Sequence, residues 1–122
     1  MKEYVASRSP CPIGRASRLL GDRWVLLILR EAFVGRDRFE DFVERLGISR
    51  AALTSRLGWM IEAGVIERVP PEGRRARYRL TPAGEALRPT YEAIRAWGDE
   101  WLPRAGDGGG GGQSLTSSSS RT

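Results

Sequence analysis

Residues 37–64, DRFEDFVERLGISRAALTSRLGWMIEAG, decide the fold of this 122-residue chain. Phe39, Phe42, Val43 and Leu46 recur at the i, i+3, i+4, i+7 spacing of one helical face. That predicts a helix over roughly Arg38 to Leu46, just after Asp37. Gly47-Ile48 reads as a tight turn. Ser49 is a good N-cap, because its hydroxyl can accept from a free amide of the turn that follows. A second helix then runs to Ala63 with Leu53, Leu57, Met60 and Ile61 inward, and Gly64 stops it. Two helices across a short glycine turn make a helix-turn-helix.

On the C-terminal side the period changes. Val65, Ile66 and Val69 are β-formers, Pro70-Pro71-Glu72-Gly73 is turn chemistry, and Arg77-Tyr78-Arg79-Leu80 alternates as a half-exposed strand does. A two-stranded hairpin beside a helix-turn-helix is a wing. Thr81-Pro82 is a cap followed by proline at the first helical position, so a last helix starts there and runs to about Leu102, kinked or split at Pro89. On the N-terminal side, Ile13, Ala16, Leu19 and Leu20 predict one helix ending at Gly21-Asp22. A second, from Trp24 to about Val34, is apolar nearly all round and should be central and buried. The expected fold is mainly α with a small β-hairpin wing. Residues 1–10 read as an arm, 11–103 as the one domain, and 104–122, rich in Gly and Ser, as a disordered tail or flexible linker.

Composition narrows the function. Twenty Lys and Arg face 15 Asp and Glu, a formal charge of +5 that suits a polyanionic partner. Lys2 is the one lysine, so the basic surplus is carried by arginine. There is no histidine, and Cys11 is the single cysteine. A histidine general base, a Cys–His pair, a histidine-ligated metal and an intrachain disulfide framework are therefore excluded. The glycine run at 108–112 follows the last helix rather than opening one, so it is no phosphate loop. These readings point away from an enzyme and imply no cofactor and no metal. The longest apolar run, Trp24 to Leu29, is too short to span a membrane, and no secretory signal is legible near the N-terminus. With a lone thiol, this predicts a cytoplasmic protein.

Several stretches also match a known pattern in order. Cys11-Pro12-Ile13 and Leu20-Gly21-Asp22-Arg23-Trp24, leading into Leu26-Leu27-Ile28-Leu29-Arg30-Glu31, resemble the opening signature of the HxlR family of regulators. Arg38-Phe39-Glu40-Asp41-Phe42 is similar to the start of its helix-turn-helix. Ile48-Ser49, Leu53-Thr54-Ser55-Arg56-Leu57 and Glu62-Ala63-Gly64-Val65-Ile66-Glu67-Arg68 resemble its recognition helix and first wing strand. Tyr78-Arg79-Leu80-Thr81-Pro82-Ala83-Gly84 resembles its second wing strand and last helix start. Gly58-Trp59 and the Gly/Ser tail depart from the pattern. The resemblance implies a dimeric, cytoplasmic winged-helix regulator of transcription, expected to be a repressor, that binds near-palindromic operators in double-stranded DNA.

Read residue by residue, the second helix of the pair presents small side chains opposite Leu53 and Leu57. Ala51, Thr54, Ser55 and Gly58 lie there, with Arg50 and Arg56 on the flanks, and Trp59 falls near the outward side by the same count. Small residues let a helix sit deep in the major groove, and Ser, Thr and Arg can bond bases or phosphates. Arg38 and Ser49 border this face. Arg74, Arg75 and Arg77 at the wing suit a narrow minor groove, although Arg77 could instead hold the wing to the body through a carboxylate. Leu87, Tyr91, Ile94, Trp97 and Trp101 form an apolar stripe on the last helix. It either packs within the chain or, with Ile13, joins two copies into a homodimer through terminal helices. Cys11, before Pro12 at a helix start, is either a small hydrophobe at that interface or a thiol sensor of oxidants, a role some relatives give an N-terminal cysteine. A small-molecule effector near Trp97 and Trp101 is a further reading. The rival to DNA binding is a winged helix used as a protein–protein interaction module.

Overall fold

The computed structural model describes residues 4–104 and 106. Six helices and two strands follow one another: α1 (Pro12–Leu20), α2 (Arg23–Phe33), α3 (Phe39–Leu46), α4 (Arg50–Glu62), β1 (Ile66–Val69), β2 (Arg77–Leu80), α5 (Pro82–Glu85) and α6 (Arg88–Trp101). Two compact units can be told apart, residues 1–88 and a second that opens at Pro89.

The helix starts are set by side chains that satisfy free amides. Asp22 accepts from the Val25 amide at 3.0 Å, Ser49 from Ala52 at 3.1 Å and Thr81 from Gly84 at 3.1 Å. Arg38 stands at the N-cap of α3 without such a bond. Gly47 ends α3 at φ 64°, a left-handed conformation that glycine adopts without a Cβ clash. Ser49 then starts α4 only two residues on, so the turn of the helix-turn-helix is as short as the sequence implies.

Inside the first unit, α2 packs on α1, α3 and α4. Val25, Ile28 and Leu29 of α2, Phe42 of α3, and Leu53 and Met60 of α4 are fully enclosed. Burying each such side chain contributes about 1.5–3 kcal/mol against leaving it in water. Trp24 and Leu27 are only half-buried, so α2 is central but not enclosed all round. β1 and β2 pair antiparallel, with Ile66 opposite Leu80 and Val69 opposite Arg77. This is the fold of a winged helix-turn-helix.

Three expectations need correction. Ile61, predicted inward, is 38% exposed. Ser55, predicted on the open face of α4, is buried at 7% exposure. The last helix is two helices, and the break falls at Ala86-Leu87, ahead of Pro89. Pro89 sits in the first turn of α6, where its missing N–H costs no intrahelical bond. Residues 1–3 of the expected arm, and the expected tail beyond Arg104 apart from Gly106, lie outside the described residues. The rest of the arm is tied down: Arg18 Nε donates to the Val5 carbonyl at 2.6 Å and Arg15 Nη1 to the Ser9 carbonyl at 2.8 Å.

The junction after the wing is closed by a close approach of backbones. Thr81 donates its amide to the Val65 carbonyl at 3.1 Å and its hydroxyl to the Gly64 carbonyl at 2.6 Å. Gly84 then lies against Val65 so tightly that a Cβ would stand 2.0 Å from its carbonyl oxygen. Gly84→Ala is therefore expected to lower unfolding stability by about 1–3 kcal/mol, as overpacking does. Urea denaturation reads the difference, and an unchanged midpoint would contradict it.

Candidate nucleic-acid interface

The exposed side of α4 begins at its first residue. Arg50, Ala51, Thr54, Gly58 and Ile61 are open, one helical turn after another. Ser49 is exposed, but its hydroxyl is engaged as the cap. Arg56 keeps only 25% side-chain exposure, because its Nε donates to the Asp22 carboxylate at 3.2 Å while its guanidinium lies 4.1 Å over the Trp59 ring. Tyr4 covers Trp59 from the arm, at 6.3 Å between ring centroids. So Arg56 and Trp59 brace α4 against the α2 cap and the arm, and Ser55 is buried. Of the α4 residues named from sequence, Arg50, Ala51 and Thr54 share the open face, and Ser55 and Arg56 do not.

The wing is joined to the start of α3 through Asp37. The Tyr78 amide donates to the Asp37 carbonyl at 2.7 Å, and Arg38 pairs with Arg77 in an isolated antiparallel bridge. The Asp37 carboxylate accepts from Arg77 Nη1 at 3.0 Å, with Arg79 Nε at 3.9 Å. Arg77 thus takes the second of its two expected roles and holds the wing to the body. Arg68 braces the hairpin from within: it donates to the Pro70 carbonyl at 2.9 Å, to the Gly73 carbonyl, and to the Tyr78 hydroxyl at 3.4 Å. Arg74 and Arg75 remain exposed at the tip.

Between the wing and the starts of α3 and α4 lies a cleft of about 480 Å³, lined by Arg38, Phe39, Glu40, Arg50, Arg68, Arg75, Ala76 and Tyr78. Four guanidiniums around one carboxylate make it strongly basic. Arg50 Nη1 donates to Glu40 Oε1 at 3.0 Å and Nη2 donates to Oε2, with the guanidinium 5.0 Å over the Phe39 ring. The hydrogen bond from Arg50 holds the Glu40 carboxyl below its ordinary value, and the same bond raises Arg50. Sequence reading missed Glu40 and Arg68. Glu40 and Arg50 are ten residues apart on different helices, a separation with no periodic signal. Arg68 faces Tyr78 directly across the hairpin, a cross-strand pair that exact register alone exposes.

The other named residues sit apart from this cleft. Cys11 is exposed and caps α1, its Sγ accepting from the Gly14 amide at 3.5 Å. Ile13 is 75% exposed. Leu87 is half-buried and packs against the core of its own unit. On α6, Ile94 and Trp97 are exposed, and Tyr91 and Trp101 are half-buried. No group of three His, Cys, Asp or Glu side chains gathers among the described residues where it could hold a metal ion. Among those residues no helix is long and apolar enough to cross a membrane.

Comparison with known proteins bears on this geometry. The HxlR-like helix-turn-helix family profile matches residues 19–106. The uncharacterised HTH-type transcriptional regulator Rv3095 of Mycobacterium tuberculosis is 49% identical over 94 residues, 75% of this chain and 60% of the relative. The chain thus spans about 60% of that relative's length. The HTH-type transcriptional regulator YodB of Bacillus subtilis is 33% identical over 95 residues, 75% of this chain and 85% of its own. Its reduced form superposes with a TM-score of 0.64 at 31% identity over 77% of this chain and 96% of that one. The crystal structure of PA1607 gives a TM-score of 0.75 at 40% identity, covering 80% of this chain and 69% of that one.

Proposed function

Because this chain belongs to the HxlR-like helix-turn-helix family of transcriptional regulators, we propose that it represses transcription by binding a near-palindromic operator in double-stranded DNA as a homodimer. The observation that carries this is one arrangement. The open face of α4, small at Ala51, Thr54 and Gly58, stands beside a wing tipped by Arg74 and Arg75 and anchored through Asp37. A small-faced helix can approach base edges in the major groove, while arginines on either side neutralise phosphates. Arg38 and Arg50 would contact backbone near the start of α4, Ser49 beside them, and Arg74 and Arg75 would follow the adjacent minor groove. Such a protein works where the DNA is, in the cytoplasm.

Dimerisation would use the α6 stripe of Tyr91, Ile94, Trp97 and Trp101, and Ile13 on α1. Exposed Ile and Trp of this size are costly to leave in water and suit a second copy. A two-fold pair would set two α4 helices about 34 Å apart, one turn of DNA. Solution mass at micromolar concentration is expected to be that of a dimer and to fall toward the monomer in Trp97→Glu. A wild-type monomer would remove the palindromic operator from the proposal.

Cys11 gives the regulator a means of response. It is exposed and sits at the start of α1. YodB has been solved both reduced and quinone-bound. We read Cys11 as the point where an oxidant or a small electrophilic effector acts. With no second cysteine in the chain, the product would be an inter-subunit disulfide or a thiol adduct.

A gel shift with the DNA upstream of the protein's own gene, against a scrambled duplex, tests the whole reading. A discrete shift on the native duplex alone is expected. Arg74→Ala and Arg75→Ala should each weaken binding to all sequences and lower the salt slope by about one. A flat slope, with no shift on any duplex, would favour a protein-binding winged helix instead. In the same assay a thiol oxidant should release wild-type protein but not Cys11→Ser, and equal release of both would clear Cys11 of a sensing role.

A further inference from the structure

The cleft between the wing and α3 holds one carboxylate among four arginines, and that carboxylate is already engaged. Glu40 meets Arg50 end-on, both carboxylate oxygens accepting from both terminal nitrogens, in the fork geometry that two phosphate oxygens also satisfy. Both side chains are open to solvent, at 63% for Arg50 and 69% for Glu40. Burial therefore does not fix the pair. Phe39, under the guanidinium, would keep Arg50 over the cleft whichever anion it holds. Arg38 and Arg75, also lining the cleft, are exposed, and among the described residues neither side chain has an ion pair or a side-chain hydrogen bond.

We propose that Glu40 is an internal stand-in for a DNA backbone phosphate, occupying Arg50 in the free protein and giving way to a phosphodiester when the cleft closes on a duplex. The proposal rests on the DNA-binding reading above and adds a residue that limits it. An arginine already neutralised by Glu40 gains little from an arbitrary phosphate, because exchanging one anion for another releases no net counterion. Glu40 thus subtracts one charge from the electrostatic attraction that every duplex shares. What remains is attraction from Arg38, Arg74 and Arg75, together with whatever base contacts α4 makes. The residue works through Arg50 and touches no base.

The test is fluorescence anisotropy with a labelled duplex of scrambled sequence over a salt series, using full-length protein. Glu40→Gln, an exposed and nearly isosteric change, is expected to tighten binding about two- to fivefold, the range an exposed ion pair spans. It should also steepen the slope of log K against log salt by about 0.9. In an Arg50→Ala background the same change should do neither. A gain that persists without Arg50 would mean plain repulsion between Glu40 and DNA, and would overturn the proposal. So would weaker or unchanged binding by Glu40→Gln, which would make Glu40 a support for Arg50 or a bystander. If the wild type binds no duplex at any salt concentration, the DNA reading itself falls, and that outcome is distinct from the others.

Discussion

Asp37 joins two elements that must keep a fixed distance if arginines from both are to face one cleft. Its carbonyl takes the Tyr78 amide, its carboxylate takes Arg77, and its neighbour Arg38 bridges to Arg77. The pair is part-exposed, with side chains 38% and 23% open, and such contacts contribute about 0–1 kcal/mol. Its value is positional. A two-stranded hairpin alone is marginal in water, so the wing depends on what it is attached to. Attaching it two residues before α3 means that a shift of the wing moves Arg75 against Arg38 and Arg50. The brace by Arg68 then fixes the loop that carries Arg74 and Arg75. Asp37 sets where the wing stands and Arg68 sets its shape.

A second charged centre does comparable work between α2 and α3. Glu31, with 6% side-chain exposure, lies at the end of α2 against Arg30 at 2.9 Å, Arg36 at 3.3 Å and Arg45 at 3.5 Å. A lone buried carboxylate would be too costly to retain, and three guanidiniums from α2, the following loop and α3 offset that cost. The compensation is uneven. Glu31 Oε1 and Arg36 Nε come close without a hydrogen bond of good geometry. Packing energy alone does not call for this arrangement, since apolar residues could fill the same space. What it adds is direction: α3 is held at its far end by Arg45 and at its near end by Asp37, so the helix cannot rotate as a free cylinder.

Most of the fold was legible because its punctuation is local. Ser49, Thr81 and Gly47 act within a turn of themselves, and each stands where its chemistry requires. The α4 phase was not legible, for a reason tied to position. A helix covered on one side shows one apolar stripe, and the sequence reading assumed that. α4 is covered on two, by the core at Leu53, Leu57 and Met60 and by the arm and α2 cap at Trp59 and Arg56. Its open arc is therefore centred on Thr54 rather than opposite Leu53, and Ser55 is turned in. Polar character misled here, since a serine can be buried when its hydroxyl finds a partner, as it does with Arg56 Nη1 at 3.5 Å. The Asp37, Glu31 and Glu40 pairs join residues brought together by the tertiary fold and had no local signal. Of these, only Arg77's anchoring role was foreseen, and only as an option.

Gly58 offers a different kind of argument about the open face. A glycine inside a helix costs about 1 kcal/mol relative to alanine. Gly84 in α5 has a visible steric cause, and Gly98 in α6 has none. At Gly58 a Cβ would meet nothing within 4 Å. The protein by itself thus gains nothing in packing from the missing methyl group and gives up helix stability for it. Gly58 lies on the open arc, one helical turn after Thr54 and one before Ile61. A bare backbone there lets the helix axis approach a groove wall by roughly the thickness of a methyl group, as glycines do wherever a backbone must come near a ligand. The residue that breaks the family pattern in the sequence is thus a point on the open arc of α4 where no side chain would hold a docking surface away.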